Sequence, residues 1–227
     1  MKTILITSIS RGIGKALTQK FLAEGHRVIG THFSPALDYS HEHLTTYPLD
    51  LTQHNSIESC AQTIRDSGAT IDILINNAGT LIDNDDTSVI LDKLRQTLEI
   101  NLIGTIDFTE NMLSSLSSNG HIVNIASSAG SLAGATDLRT SHYPYHYPSY
   151  KISKAALNMY TRTLALRLTH EGSTITVSSV HPGWVKTDMG GEDAPMTPEE
   201  AAEHIYTLAL SKPETGQFWF KGEKYPW

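Results

Sequence analysis

Thr3-Ile4-Leu5-Ile6-Thr7-Ser8-Ile9-Ser10-Arg11-Gly12-Ile13-Gly14 is the stretch on which the fold turns. An apolar run opens it, a small polar turn with two glycines follows, and a helix-like segment runs from about Gly12 to Glu24. Glycines let a backbone approach a pyrophosphate, and the helix behind them offers free N–H groups and a positive dipole end. The spacing differs from G-x-G-x-x-G, and a glycine-bearing turn is about as often an ordinary β–α connection. Its place at the first β–α junction favours a nucleotide.

The pattern repeats outward. Gly25 stops the first helix and Val28-Ile29 opens a second strand. Further apolar runs lie at Ile71 to Ile75, Ile122 to Ile125 and Ile175 to Val180. Helical patterns separate them at about Ser56 to Asp66, Leu94 to Leu116 and Ser149 to His170. Such alternation, with strands apolar on both faces, predicts an α/β doubly wound parallel sheet in a single domain, residues 1–227. Thr31 to Pro48 predicts a loop and one short strand. Gly190 to Pro198 reads equally as a lid or an ordinary surface loop.

Composition narrows the class. The 227 residues are 39% hydrophobic and 18% charged, as in a folded soluble domain. A net charge of -7 argues against a nucleic-acid surface and an anionic membrane as partners. Cys60 is the single cysteine, and no run reaches the length of a membrane span. A cytoplasmic protein is expected.

Tyr150 and Lys154 are four residues apart, which on a helix stacks a phenol and an ammonium on one face. A free tyrosine has a pKa of about 10. A cation about 4 Å away lowers that by roughly three units at an effective dielectric of 20. The pair is weak evidence alone, but it implies a tyrosine able to act as acid or base. Lys151 points about 100° around the helix and serves as a decoy.

In order along the chain, these motifs resemble the short-chain dehydrogenase/reductase family. The first turn is similar to T-G-x-x-x-G-x-G, with Ser8 in place of the first glycine. Asn76-Asn77-Ala78-Gly79 matches N-N-A-G in full. Asn101, the strand Ile122 to Ala126 ending at Ser127, Tyr150 to Lys154, and Pro182-Gly183 with Thr187 follow. The segments His181 to Gly190 and Gly222 to Trp227 look like the C-factor and Sniffer-like carbonyl reductase branch.

The resemblance implies a Rossmann-type sheet of about seven strands with helices on both faces. It assigns catalysis to Asn101, Ser127, Tyr150 and Lys154. Ser127 bonds the substrate oxygen, Tyr150 donates a proton to it, Lys154 lowers the tyrosine pKa, and Asn101 holds a relay water. Cofactor contacts fall on Thr7, Ser8, Ser10, Arg11, Gly12, Ile13 and Gly14, then on His32, Asp50 and Leu51. They continue through Asn77, Ala78 and Gly79, include Tyr150 and Lys154, and end at Pro182, Gly183, Val185 and Thr187. A positive φ at Ser8 would cost about 1 kcal/mol.

No carboxylate follows the second strand at His32, and Arg11 occupies a turn position suited to a 2′-phosphate, so NADP(H) is expected over NAD(H). Asp50 reads either as an adenine neighbour or as a helix cap. The implied activity is hydride transfer to or from a small carbonyl or alcohol. A cofactor-binding regulator with little turnover and an oligomeric interaction protein are the alternatives. The implied assembly is a homodimer or homotetramer through the long helices. Eleven histidines, His41, His43, His142 and His146 among them, show no zinc spacing, and no metal is expected. Tyr143, Tyr145 and Tyr147 read equally as substrate mouth or exposed surface.

Overall fold

The computed structural model describes residues 1–33, 37–135 and 145–227. Strand β1 (Thr3–Ile6) leads into α1 (Gly12–Ala23), then β2 (Arg27–His32), β3 (Leu44–Pro48), α2 (His54–Asp66) and β4 (Ile71–Asn76). Next come α3 (Leu91–Leu98), a π turn (Glu99–Ile103), α4 (Gly104–Met112) and β5 (Leu116–Ile125). The chain closes with α5 (Pro148–His170), β6 (Thr176–Val180), α6 (Pro198–Leu210), β7 (Gln217–Phe220) and β8 (Glu223–Lys224).

The sheet order is β3-β2-β1-β4-β5-β6-β7-β8. Every pairing through β7 is parallel, and β8 adds antiparallel to β7. Alternation along the strands divides the core. Ile4 and Ile6 face α1 and α6, packing with Leu17, Phe21 and Ile205. Leu5 and Leu74 face α2, α4 and α5, packing with Ile64, Phe108 and Leu164. With both faces covered, the strands read as continuous apolar runs.

Local chemistry sets the helix ends. Gly25, at φ 77, ends α1 in the left-handed region. A capping box of Thr197 and Glu200, with Pro198 behind it, starts α6. Pro148 begins α5, where its missing N–H is harmless.

Two details differ from the expected pattern. Among the described residues the sheet has eight strands rather than about seven. The eighth follows a tight turn in which Lys221 and Gly222 both have positive φ, 49 and 84. Gly222 takes its positive φ without strain, which suits a two-residue hairpin turn, while Lys221 is not a residue that marks such a turn in a sequence. The helix expected from Leu94 to Leu116 is α3, the π turn and α4 in succession, and Leu116 already opens β5. Apolar periodicity runs through all three pieces, so it hides the break. Among the described residues, no helix is long and apolar enough to cross a membrane.

Candidate active site

Winding reverses at β1, whose neighbours are β2 and β4. The crevice beyond the ends of β1 and β4 is therefore the place for a ligand in such a sheet. Thr7 follows β1 directly and clips the two walls together. Its hydroxyl accepts the N–H groups of Asn77 (3.0 Å) and Ala78 (2.9 Å). The Asn77 amide donates back to the carbonyls of Thr7 and Ser8, each at 3.0 Å.

Ser8 has φ 60, the left-handed conformation that glycine takes without cost. The strain anticipated from sequence is present. Gly14 allows helix α1 to sit against the turn, since a Cβ there would stand 2.1 Å from the Ser8 carbonyl oxygen. Helix α1 has no side-chain cap and no acid in its first turn. Its N–H groups and dipole are left for an anion.

Deeper in the crevice, Lys154 is 4% exposed and donates to the Ile125 carbonyl at 2.8 Å. Its Nζ lies over the Tyr150 ring, 5.6 Å from the centre. The Tyr150 hydroxyl is hydrogen-bonded to Ser127, whose Oγ also accepts the Ala129 N–H at 3.1 Å. Asn101 sits in the π turn, 1% exposed. Its amide bonds both backbone groups of Thr80, at 2.7 and 2.9 Å, and donates to Ser153 Oγ at 3.0 Å. A Cβ on Gly79 would stand 3.4 Å from Asn101 Oδ1 and 3.5 Å from Lys154 Nζ. Strand ends, the π turn and α5 thus bring Gly79, Asn101, Ser127, Tyr150 and Lys154 together. The π turn, a frequent mark of functional sites, explains how a mid-helix asparagine is accommodated.

The electrostatics reverse one expectation. Tyr150 is half-buried by accessible surface, yet the protein packed around its phenol pushes the pKa up to about 12, with the Ser127 bond opposing. Burial pushes Lys154 down to about 8. The lysine does not lower the tyrosine as its spacing suggested. Its ammonium donates to the Ile125 carbonyl and lies over the ring face. Both shifts favour neutral groups.

Residues 2–197 match the family model described as short chain dehydrogenase. The chain belongs to the short-chain dehydrogenase family. It is similar over its whole length to the NADPH-bound carbonyl reductase from chicken fatty liver, at 28% identity, 94% coverage of that chain and a TM-score of 0.86. It is also similar to the carbonyl reductase Sniffer of D. melanogaster, at 26% identity, full coverage of both chains and the same TM-score of 0.86. C-signal of Myxococcus xanthus is 33% identical over 168 residues, 69% of this chain and 93% of that protein.

This short-chain dehydrogenase places the other anticipated residues unevenly. Arg11 pairs with Asp188 at 2.5 Å, joining the first turn to the segment after β6. In the same gap a Cβ on Gly12 would stand 3.2 Å from Thr187 Cγ2. Thr187 Oγ1 accepts the Gly190 N–H at 3.1 Å. Pro182 and Gly183, the latter at φ 96, begin that segment. Val185 is buried and bridged to Met196, so only its backbone is available to a ligand. Ile13 and Leu51 likewise turn their side chains into the core. Ser10 is half-buried, and so is His32 at the end of β2. Asp50 accepts both the N–H and hydroxyl of Thr52, at 2.9 and 2.7 Å, and clips the β3–α2 loop. It does not cap α2, whose N-cap is Gln53.

Lys151 lies 4.7 Å from the Tyr147 ring, away from Lys154. Among the described residues no group of three metal-type side chains converges. His142 and Tyr143 lie outside the described residues. Two neighbours of the site escaped the sequence reading. His181, on which the Ser128 N–H converges at 3.3 Å, packs on Phe220 and Tyr225. Asp83 meets α5 from a distant loop. Asp83 belongs to no motif, and His181 enters the sequence reading only as the start of a branch-like segment with no role of its own, so only the folded chain brings them in.

Proposed function

We propose that this chain is an NADP(H)-dependent carbonyl reductase with Tyr150 as proton donor. The observation that carries the reading is Tyr150, held protonated by burial, hydrogen-bonded to Ser127 and covered by Lys154. The cradle fits a dinucleotide: Gly12 takes the turn's positive φ, Gly14 lets α1 close on the turn, α1 offers uncapped N–H groups, and Arg11 supplies a cation for a 2′-phosphate. Thr7, Ser8, Ser10, Ile13, Asn77, Ala78 and Gly79 line that path by side chain or backbone. His32, Asp50 and Leu51 border its adenosine end, and Pro182, Gly183, Val185 and Thr187 its nicotinamide end. When bound, the nicotinamide supplies or accepts the hydride. The NADPH-bound chicken carbonyl reductase supports the same cofactor and substrate class.

The chain's own groups handle the oxygen. Ser127 Oγ donates to the carbonyl oxygen as negative charge gathers there, the kind of contact whose loss costs about a hundredfold or more in rate. Tyr150 Oη gives that oxygen its proton. Burial keeps the phenol in its acid form through the physiological range, and the charge of Lys154 together with the negative charge gathering on the substrate oxygen drives the transfer. Lys154 places positive charge beside the phenolate left behind. Asn101 fixes the Thr80 loop and Ser153 around this group and borders the path for reprotonation.

The decisive test is turnover of NADPH against aldehydes, ketones and quinones. Wild type reduces a member of the panel, and Tyr150→Phe loses activity by orders of magnitude while binding NADPH normally. Binding with no turnover in wild type overturns the reading in favour of a regulatory protein. Assembly as a homodimer or homotetramer is part of the same proposal. Ile152, Met159 and Leu166 form an exposed stripe on α5 at seven-residue intervals, an apolar face suited to a second copy. Met159→Glu is then expected to yield monomers in sedimentation.

A further inference from the structure

Tyr150 lies in the first turn of α5, and that turn has no cap of its own. Tyr147, in the N-cap position, is left-handed at φ 47 and makes no side-chain capping bond. Helix starts expose N–H groups that need partners. Here the partner comes from far upstream: Oδ2 of Asp83 accepts the Ser149 N–H at 2.6 Å. Both Asp83 and Ser149 are 1% exposed.

The loop carrying Asp83 is tied down on every side. The Asp86 N–H donates to the Asp83 carbonyl at 3.0 Å, and the Tyr147 N–H donates to the Asp86 carbonyl at 3.0 Å. Lys93 of α3 pairs with the Asp86 carboxylate at 2.7 Å. Three residues before Asp83, Thr80 is held on both backbone groups by Asn101. One short run, 80–86, is thus bonded to the π turn at one end and to the start of α5 at the other.

A buried carboxylate is costly unless something requires it. This one leaves its Oδ1 and the neighbouring Ser149 hydroxyl buried without hydrogen-bond partners, with Lys151 a cation near enough to act on it. A local side-chain cap needs an extended backbone at position 147, and the left-handed Tyr147 does not provide one. The acid's location offers what a local cap cannot: it joins the tyrosine helix to the loop that holds Asn101. Negative charge at a helix N-terminus is also favourable.

We propose that Asp83 is a positioning residue for Tyr150, a cap supplied from a distant loop of the same chain that aims the phenol at Ser127. The proposal rests on the reading of Tyr150 as proton donor. It is tested with Asp83→Ala and Asp83→Asn through three measurements: kcat on a carbonyl that wild type reduces, NADPH affinity by fluorescence, and amide exchange across residues 149–153.

Asp83→Ala is expected to lower kcat about tenfold to a hundredfold, as small misplacements of reacting groups do. NADPH affinity stays within about twofold, and exchange in the first turn of α5 accelerates. Asp83→Asn keeps an acceptor oxygen and recovers most of kcat and of the protection. Should Asp83→Ala not fold, Asp83→Ser, too short to reach Ser149, takes its place. Unchanged kcat or unchanged exchange in the alanine variant overturns the proposal. So does parallel loss of kcat and NADPH binding, the mark of general destabilisation, or an asparagine variant no better than alanine. Failure of the proton-donor reading is seen separately, as a Tyr150→Phe enzyme that still turns over. The exchange result stands whatever that outcome.

Discussion

Lys154 holds its ammonium on the Ile125 carbonyl at 2.8 Å while lying over the face of Tyr150, 5.6 Å from the ring centre. That arrangement makes the lysine, not the tyrosine, the group that titrates near neutrality. Its pKa is pushed down to about 8, and that of Tyr150 up to about 12. The cation is present below pH 8 and lost as pH rises through it. Reductive kcat/KM should therefore be level up to about pH 8 and fall above it. A profile of kcat/KM against pH checks this. Lys154→Met should abolish activity, and Lys151→Met should leave it within about twofold, since Lys151 sits on Tyr147.

Ser8 sits at φ 60, where a side chain costs about 1 kcal/mol or more and glycine does not. Ser8→Gly should stabilise the protein by up to about 1 kcal/mol, part of the gain being offset by the freedom glycine adds to the unfolded chain. The urea midpoint should rise with the m-value unchanged. A titration with NADPH on the same variant reports whether the serine hydroxyl also bonds the cofactor. If so, the more stable variant binds more weakly.

Arg11 is shared between two anions in the proposed complex. It pairs with Asp188 across the gap between the first turn and the segment after β6. Arg11→Ala should weaken NADPH by about tenfold or more and leave NADH nearly unchanged. Asp188→Asn frees the guanidinium and removes a like charge from the phosphate, so NADPH should bind about twofold to fivefold tighter, with the exposed position keeping the effect small. Dissociation constants for both nucleotides at fixed salt decide it.

His121 and His181 predict acid sensitivity. His121 is buried between Ser178 and the Ala209 carbonyl, and burial holds its pKa at about 4. His181 is held at about 4 by burial and by nearby His204. Above pH 6.5 both are neutral whether folded or not, so neither contributes a pH dependence. As pH falls from about 6.5 to 4 the unfolded chain takes up protons that the folded chain refuses. Stability should drop over that window by about 3 kcal/mol for each histidine. Urea unfolding at pH 7 and pH 5 captures about 2 kcal/mol of that drop for each histidine, and His121→Asn should reduce it.

Much of this protein was legible in the residue order. Parallel strands buried on both faces leave apolar runs, and the first turn announces itself by its glycines. Tyr150 and Lys154 could be paired because a helix converts a spacing of four into a shared face. Ser127 follows a strand whose register with its neighbours is set by the same apolar pattern. Less was legible between α3 and β5, where one periodic stretch conceals the π turn at Asn101.

What the sequence determined by itself was the fold class, the family and the identity of the polar groups in the crevice, because these depend on local periodicity and on short motifs. Only the tertiary structure decided the protonation of Tyr150 and Lys154, since desolvation depends on everything packed around a group. It also decided that Ser8 takes a left-handed backbone, that Arg11 meets Asp188, and that Asp83 caps the tyrosine helix. Those pairings join residues far apart in the chain, and no local spacing records which distant segments a sheet order will bring together.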